Sequence, residues 1–113
     1  MKTINARTAP TMKNPHGVRA AKLYETEAAQ AVHIELEPGQ SLKRHATPTD
    51  VFFYVLEGTG VVEVGEDRAE VGADTLVESP SGIPHCWHNE GSEPLRVLVV
   101  KAPRQSEPTR MLE

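Results

Sequence analysis

The sequence predicts a single all-β domain, a sandwich or small barrel, and three observations carry that expectation. The stretch "AVHIELEPG" alternates apolar and polar residues and stops at Pro38-Gly39, the pattern of a half-buried strand. Short runs rich in β-branched and aromatic residues then recur with Gly or Pro between them, at the spacing of a sandwich or barrel and not of alternating strands and helices. The chain has 113 residues, enough for one domain with one core and too few for two.

Taken in order, residues 1–17 contain Pro10, Pro15 and Gly17 and show no periodicity, so they are expected to form an extended N-terminal arm that something else must order. A barrel is expected over residues 18–102. Its first stretch, "VRAAKLYETEAAQA" at 18–31, consists largely of good helix formers, the one place where propensity favours a helix. In the next strand Val32, Ile34 and Leu36 share one face, and His33, Glu35 and Glu37 share the other. "VFFYVLE" at 51–57 ends in Gly58-Thr59-Gly60, and "VVEV" at 61–64 ends in Gly65-Glu66-Asp67, which signals two strands and two turns. "TLVES", "PHCWHN" and "LRVLVVK" continue the series, and Pro103 and Pro108 mark residues 103–113 as a C-terminal tail. There is no internal repeat and no low-complexity segment.

Bulk composition removes several function classes. The 12 Lys and Arg stand singly against 16 Asp and Glu, for a formal charge of −4. A chain that tracks a phosphate backbone needs a clustered basic surface, so no nucleic-acid partner is expected. One cysteine cannot close an intrachain disulfide, and the opening "MKTINARTAP" lacks the apolar region of a signal peptide, so a cytoplasmic location is expected. No run approaches the roughly 18 apolar residues of a membrane helix, so no membrane partner is expected either. Neither a Ser-His-Asp order, nor a phosphate loop, nor a paired-carboxylate signature is present.

Two stretches hold the remaining signal. Gly39 is followed after five residues by His45, and "FYVLEG" at 53–58 closes the same unit. "PSGIPHCWHN" at 80–89 then sets out Pro80, Gly82, His85 and Asn89. In order and spacing these resemble the two motifs of the cupin superfamily, specifically its small single-domain barrels of the cupin 2 type, over about residues 32–101. The resemblance implies a double-stranded β-helix (jelly-roll type) barrel, in which the Ala-rich segment becomes the first strand and turn against its own propensity. One motif position departs: Asp74 holds the place of the second motif's leading Gly, and the nearest glycine is Gly72.

The departures bear on function. In metal-bearing cupins the ligands would fall at His45, Thr47, Val51 and His85, so the resemblance leaves this chain with two imidazoles and an incomplete set. The candidate ions are Zn, Fe, Ni and Mn, and a divalent ion on His45 and His85 alone is expected to bind weakly, because catalytic zinc usually has three protein ligands. Asp50 is a candidate third ligand, although a shift of one residue along a strand turns a side chain to the other face unless the backbone bulges. The resemblance also implies a small-molecule pocket lined by His45, Thr47, Phe53, His85 and Trp87.

The claw suggested by His85, Cys86 and His88 fails on strand parity, since His85 and Trp87 point one way and Cys86 and His88 the other. A surface or interface histidine and an inert buried thiol are expected there. His33 and His16 are expected at solvent or at an interface. Phe52 and Tyr54 alternate with Phe53, so an outer aromatic face needs a cover, and a homodimer or the arm is expected to supply it. The expected function is small-molecule binding by a cupin barrel that is either metal-poor, with no cofactor, or weakly bound to a divalent ion. The alternatives are a metal-dependent enzyme of the oxygenase or isomerase type using His45 and His85, and an accessory subunit.

Overall fold

The periodicity read along the chain becomes the inner and outer faces of two packed sheets. The structure, a computed structural model, describes residues 1–112. In chain order the strands are β1 (Arg19–Glu25), β2 (Gln30–Leu36), β3 (Ser41–Ala46), β4 (Val51–Glu57), β5 (Gly60–Val64), β6 (Asp67–Val71), β7 (Leu76–Ser79), β8 (His85–His88), β9 (Leu95–Lys101) and β10 (Arg110–Met111). Two antiparallel sheets result, ordered β1-β2-β9-β4-β7 and β10-β3-β8-β5-β6. No helix occurs among the described residues.

The helix formers of residues 18–31 give β1, a turn and β2. Local propensity spans a few tenths of a kcal/mol per residue, whereas burial of Ala20, Ala21 and Val32 against the sheet is available only to a strand. The turn is closed by Thr26, whose Oγ1 accepts the amides of Ala28 and Ala29 at 3.2 and 3.3 Å. Between the sheets lie Leu36, Phe53, Val55, Leu95 and Val97 from one side and Leu42, Val62 and Trp87 from the other. Trp87 is wholly buried and meets Phe53 edge to face at 5.5 Å between ring centroids, a favourable aromatic geometry.

Several of the motif residues are backbone devices. Gly58 has φ of 86°, and a Cβ there would lie 2.3 Å from the carbonyl oxygen of Pro94. Asp74, which stands where the family pattern has glycine, has φ of 64°, the left-handed region that Asp tolerates better than most residues. Asn89 is a structural pin, donating to the carbonyls of Leu36 and Glu93 at 2.9 Å each and accepting the Gly91 amide at 3.0 Å.

The arm and tail pack against the barrel. Ala9 is buried, Met12 donates its amide to the Ala20 carbonyl at 2.9 Å, and β10 pairs with β3. His33, expected at solvent or an interface, has no exposed surface at all. Its Nε2 accepts from Arg96 Nε at 3.0 Å, and Arg96 Nη1 meets Glu57 Oε1 at 3.3 Å. Arg7 of the arm reaches the same carboxylate oxygen at 2.9 Å, so the N-terminal segment is linked through Glu57 and Arg96 to the buried His33, while Arg7 and Glu57 themselves stay about half exposed. Alternation predicted the face correctly and its burial wrongly, because the cover is remote in sequence.

Candidate functional site

His45 and His85 are cross-strand partners on β3 and β8, and a bulge is what brings them together. Leu42 pairs with Trp87 and His45 with His85, so β3 spends one residue more than β8 over that interval. On a regular strand Leu42 and His45, three apart, would face opposite ways; the extra residue turns both inward. The result is an Nε2 to Nε2 distance of 3.1 Å between two buried rings standing nearly perpendicular, with 83° between their planes.

The hydrogen bonds around the pair assign its protons. His45 Nδ1 lies at 2.5 Å from the carbonyl oxygen of Lys43, which can only accept, so His45 carries its proton on Nδ1 and Nε2 is an acceptor. His85 must therefore donate from Nε2 to His45, which leaves His85 Nδ1 to accept from the Ser79 hydroxyl at 2.7 Å. The chain of hydrogen bonds runs Ser79 to His85 to His45 to Lys43 in one direction. Thr47 Oγ1 lies 3.4 Å from His85 Nε2, beside the donor.

This assignment needs both rings neutral, and the surroundings keep them so. Burial, then the neighbouring His45, then Lys101 and His16, push His85 down to about 3. Burial lowers His45 as well, while the Lys43 carbonyl pulls the other way. His16 is pushed down to about 4 by burial, His45 and Lys43. Lys101 is likewise lowered by burial, and its Nζ donates to Gln105 Oε1 at 2.7 Å.

The pair forms one polar wall of a cavity of about 190 Å3 whose other walls are largely apolar, among them Val18, Val32, Leu42, Phe53 and Val99. Of the residues the sequence put in this pocket, His45, Thr47, Phe53 and His85 line it. Trp87 does not: it lies wholly buried beneath Phe53, pointing inward as parity required but in the packed core and not at the cavity wall. Asp50 also lies elsewhere. No bulge occurs there; its Oδ1 accepts the Ser81 amide at 2.8 Å, and it faces a shallow groove beside Phe52 on the outside of the sheet.

Sequence reasoning missed three contributors. His16 comes from the arm, accepting the Lys43 amide on Nδ1 at 2.8 Å and standing 4.8 Å from the His45 ring. Ser79 orients His85, and Lys101 lines the cavity. Ser79 and Lys101 both pair with Val51, so the register of β4 between β7 and β9 was the signal that could have found them. For His16 the local sequence holds no signal.

As a test of metal fit, two neutral imidazole nitrogens 3.1 Å apart match two ligands on one ion. The remainder of the set does not follow. Val51 offers no donor, Asp50 is turned away, and Thr47 contributes a weak hydroxyl, so the protein supplies half of a four-ligand shell. Binding there would also displace the hydrogen bond between the rings.

On the opposite face of β8, parity again holds: Cys86 and His88 point away from His85. Glu63 of β5, the cross-strand partner of Cys86, lies between them. Its Oε2 is 3.5 Å from Cys86 Sγ and 2.9 Å from His88 Nε2, and Sγ and Nε2 are 3.5 Å apart. The hydrogen bonds from His88 and Cys86 hold the Glu63 carboxyl below its usual range.

The cupin domain family, Cupin 2, matches residues 32–101, which is more than half of the chain. The chain belongs to this family. Among curated relatives, the tetracenomycin polyketide synthase protein TcmJ of Streptomyces glaucescens is 34% identical over 77 residues, 67% of this chain and 52% of that protein. The chain spans 52 to 60% of the length of the curated relatives it matches. Among solved structures, TT1209 of Thermus thermophilus is 32% identical with a TM-score of 0.79, covering 92% of this chain and 99% of that one. The polyketide cyclase RemF of Streptomyces resistomycificus superposes with a TM-score of 0.84 at 22% identity, over 100% of this chain and 86% of that one, a likeness of cupin fold. No helix among the described residues is long and apolar enough to cross a membrane.

Proposed function

We propose that this cupin binds a small ring-bearing molecule with a hydroxyl beside a carbonyl, and that recognition rests on the His45–His85 pair and not on a retained metal ion. The observation that carries the reading is the directional hydrogen-bond chain. It sets one donor, His85 Nε2–H, against one acceptor, His45 Nε2, on the cavity wall, each the other's partner until a ligand separates them. A ligand that inserts between them accepts from His85 through its carbonyl and donates to His45 through its hydroxyl. Burial of a ligand's hydroxyl and carbonyl is costly without such partners, which the pair supplies, while the remaining walls favour a ring.

A cavity of about 190 Å3 has room for one substituted ring, since an apolar cavity of about 150 Å3 holds benzene. The name of the TcmJ relative supports the same class, because rings built by polyketide chemistry carry alternating hydroxyl and carbonyl groups. Lys101, half-buried on the wall, favours ligands with anionic character. The same donor and acceptor are what a keto–enol proton shift needs, and this favours an isomerase-type reaction as the second reading.

The test uses 2-hydroxyacetophenone and its methyl ether, read by quenching of Trp87, the one tryptophan, which contacts the cavity-lining Phe53. Saturable quenching is expected, with the ether about tenfold weaker because it cannot donate to His45. Equal affinity for the two compounds, or for wild type and a His45→Ala/His85→Ala variant, removes the reading.

A further inference from the structure

We propose that Glu63, Cys86 and His88 form a second, metal-binding site on the outer face of the barrel, taking a zinc-like divalent ion with an exogenous fourth ligand. Three different donor types converge here: a carboxylate oxygen, a thiol sulfur and an imidazole nitrogen, all within one ion's reach. Their mixture suits zinc, which takes sulfur, nitrogen and oxygen ligands alike.

The distances carry the proposal. Zinc bonds of about 2.3 Å to sulfur and about 2.0 to 2.1 Å to nitrogen and oxygen, at tetrahedral angles, separate S from N and S from O by about 3.5 Å and N from O by about 3.3 Å. The observed separations are 3.5 Å for Sγ–Nε2, 3.5 Å for Sγ–Oε2 and 2.9 Å for Nε2–Oε2. Two edges of the triangle already match. The third is a hydrogen bond that opens by a few tenths of an ångström when an ion replaces its proton.

Strand pairing places the three residues side by side. Glu63 and Cys86 are direct partners in the β5–β8 ladder, and His88 pairs with Val61 on the same ladder. His88 is oriented from behind by Ser41, its β3 partner, whose Oγ lies 2.9 Å from Nδ1. A metal-ligating histidine characteristically uses its other nitrogen in this way. Without an ion, Nε2–H donates to Glu63 and Nδ1 accepts from Ser41. With an ion on Nε2 the proton sits on Nδ1 and donates to Ser41 Oγ. The thiol gives up its proton, so one ion entering releases one proton, and the complex of thiolate, carboxylate and divalent cation is neutral.

Arg68 opposes the ion. Its Nη1 lies 3.0 Å from the same Glu63 oxygen, but the side chain is half exposed and also reaches Glu90 at 3.5 Å, which gives it a place to go. His88 and Glu63 are each about 30% exposed, so the fourth position faces solvent and takes water or a small anion.

The experiment is a cobalt(II) titration of the full chain, purified without chelator or affinity resin, followed by optical absorption. Wild type is expected to bind one equivalent with a thiolate-to-cobalt charge-transfer band in the near ultraviolet and the strong visible bands of a four-coordinate ion, both abolished by excess zinc. Cys86→Ala should lose the charge-transfer band, and Glu63→Gln and His88→Ala should each weaken binding tenfold or more. His45→Ala/His85→Ala, which disables the inner cavity, should leave the band unchanged. Absence of the charge-transfer band in wild type overturns the site, and so does its loss in the inner-cavity variant.

Discussion

Lowering the pH from 7.5 to 5.0 should destabilise this barrel chiefly through His85. The folded state holds that ring neutral, with a value of about 3 set first by burial, against 6.5 in the unfolded chain. The sign follows from linkage: between those values the unfolded chain binds a proton that the folded chain does not, so stability falls as the pH falls through 6.5. At pH 5.0, about 1.5 pH units below the unfolded value, each unit contributes about 1.4 kcal/mol, so His85 alone removes about 2 kcal/mol. The figure depends little on the folded value as long as it stays below about 4. His45, lowered by the same burial, adds to the loss. Urea unfolding at the two pH values reads the effect, which is a large share of a typical domain's 5 to 15 kcal/mol. A His85→Gln variant keeps a polar group near Ser79 and cannot titrate, so its loss over the same interval should be about 2 kcal/mol smaller. If wild type and His85→Gln lose stability in parallel, the neutral-pair assignment is wrong.

Further outcomes follow from the same geometry. A Thr47→His/Val51→Glu double variant restores the four-ligand pattern of metal-bearing relatives, and calorimetric titration with Zn or Ni should show inner-site binding about a hundredfold tighter than wild type. Gly58→Ala forces a Cβ to within 2.3 Å of the Pro94 oxygen at a φ of 86°, so a cost of about 3 kcal/mol and a melting point about 10 °C lower are expected by calorimetry. The half-buried outer aromatics Phe52 and Tyr54 favour a homodimer, and sedimentation at micromolar concentration should find it; a Phe52→Glu variant should sediment as monomer.

The β class, the strand series and the cupin motifs were legible because they are written in local pattern: the alternation of β2, the Gly-Thr-Gly turn after β4, and the spacing from Pro80 to Asn89. The motif even predicted which residues converge, since His45 and His85 face each other as the resemblance implied. Parity along one strand correctly separated His85 from Cys86 and His88. Beyond that, what the side chains meet depended on contacts between segments far apart in sequence. The bulge that turns His45 inward is a mismatch between β3 and β8, invisible in either strand alone. His33 meets Arg96, which Glu57 holds together with Arg7 of the arm, and His16 reaches the cavity only because the arm folds back on β3. Trp87 left the pocket wall because depth in a barrel depends on how two sheets stack, while parity gives only the side. Glu63 joined Cys86 and His88 through the register of β5 on β8, a long-range pairing that no window of this sequence contains. Local sequence decided which face each side chain takes, and the tertiary packing decided what that face touches.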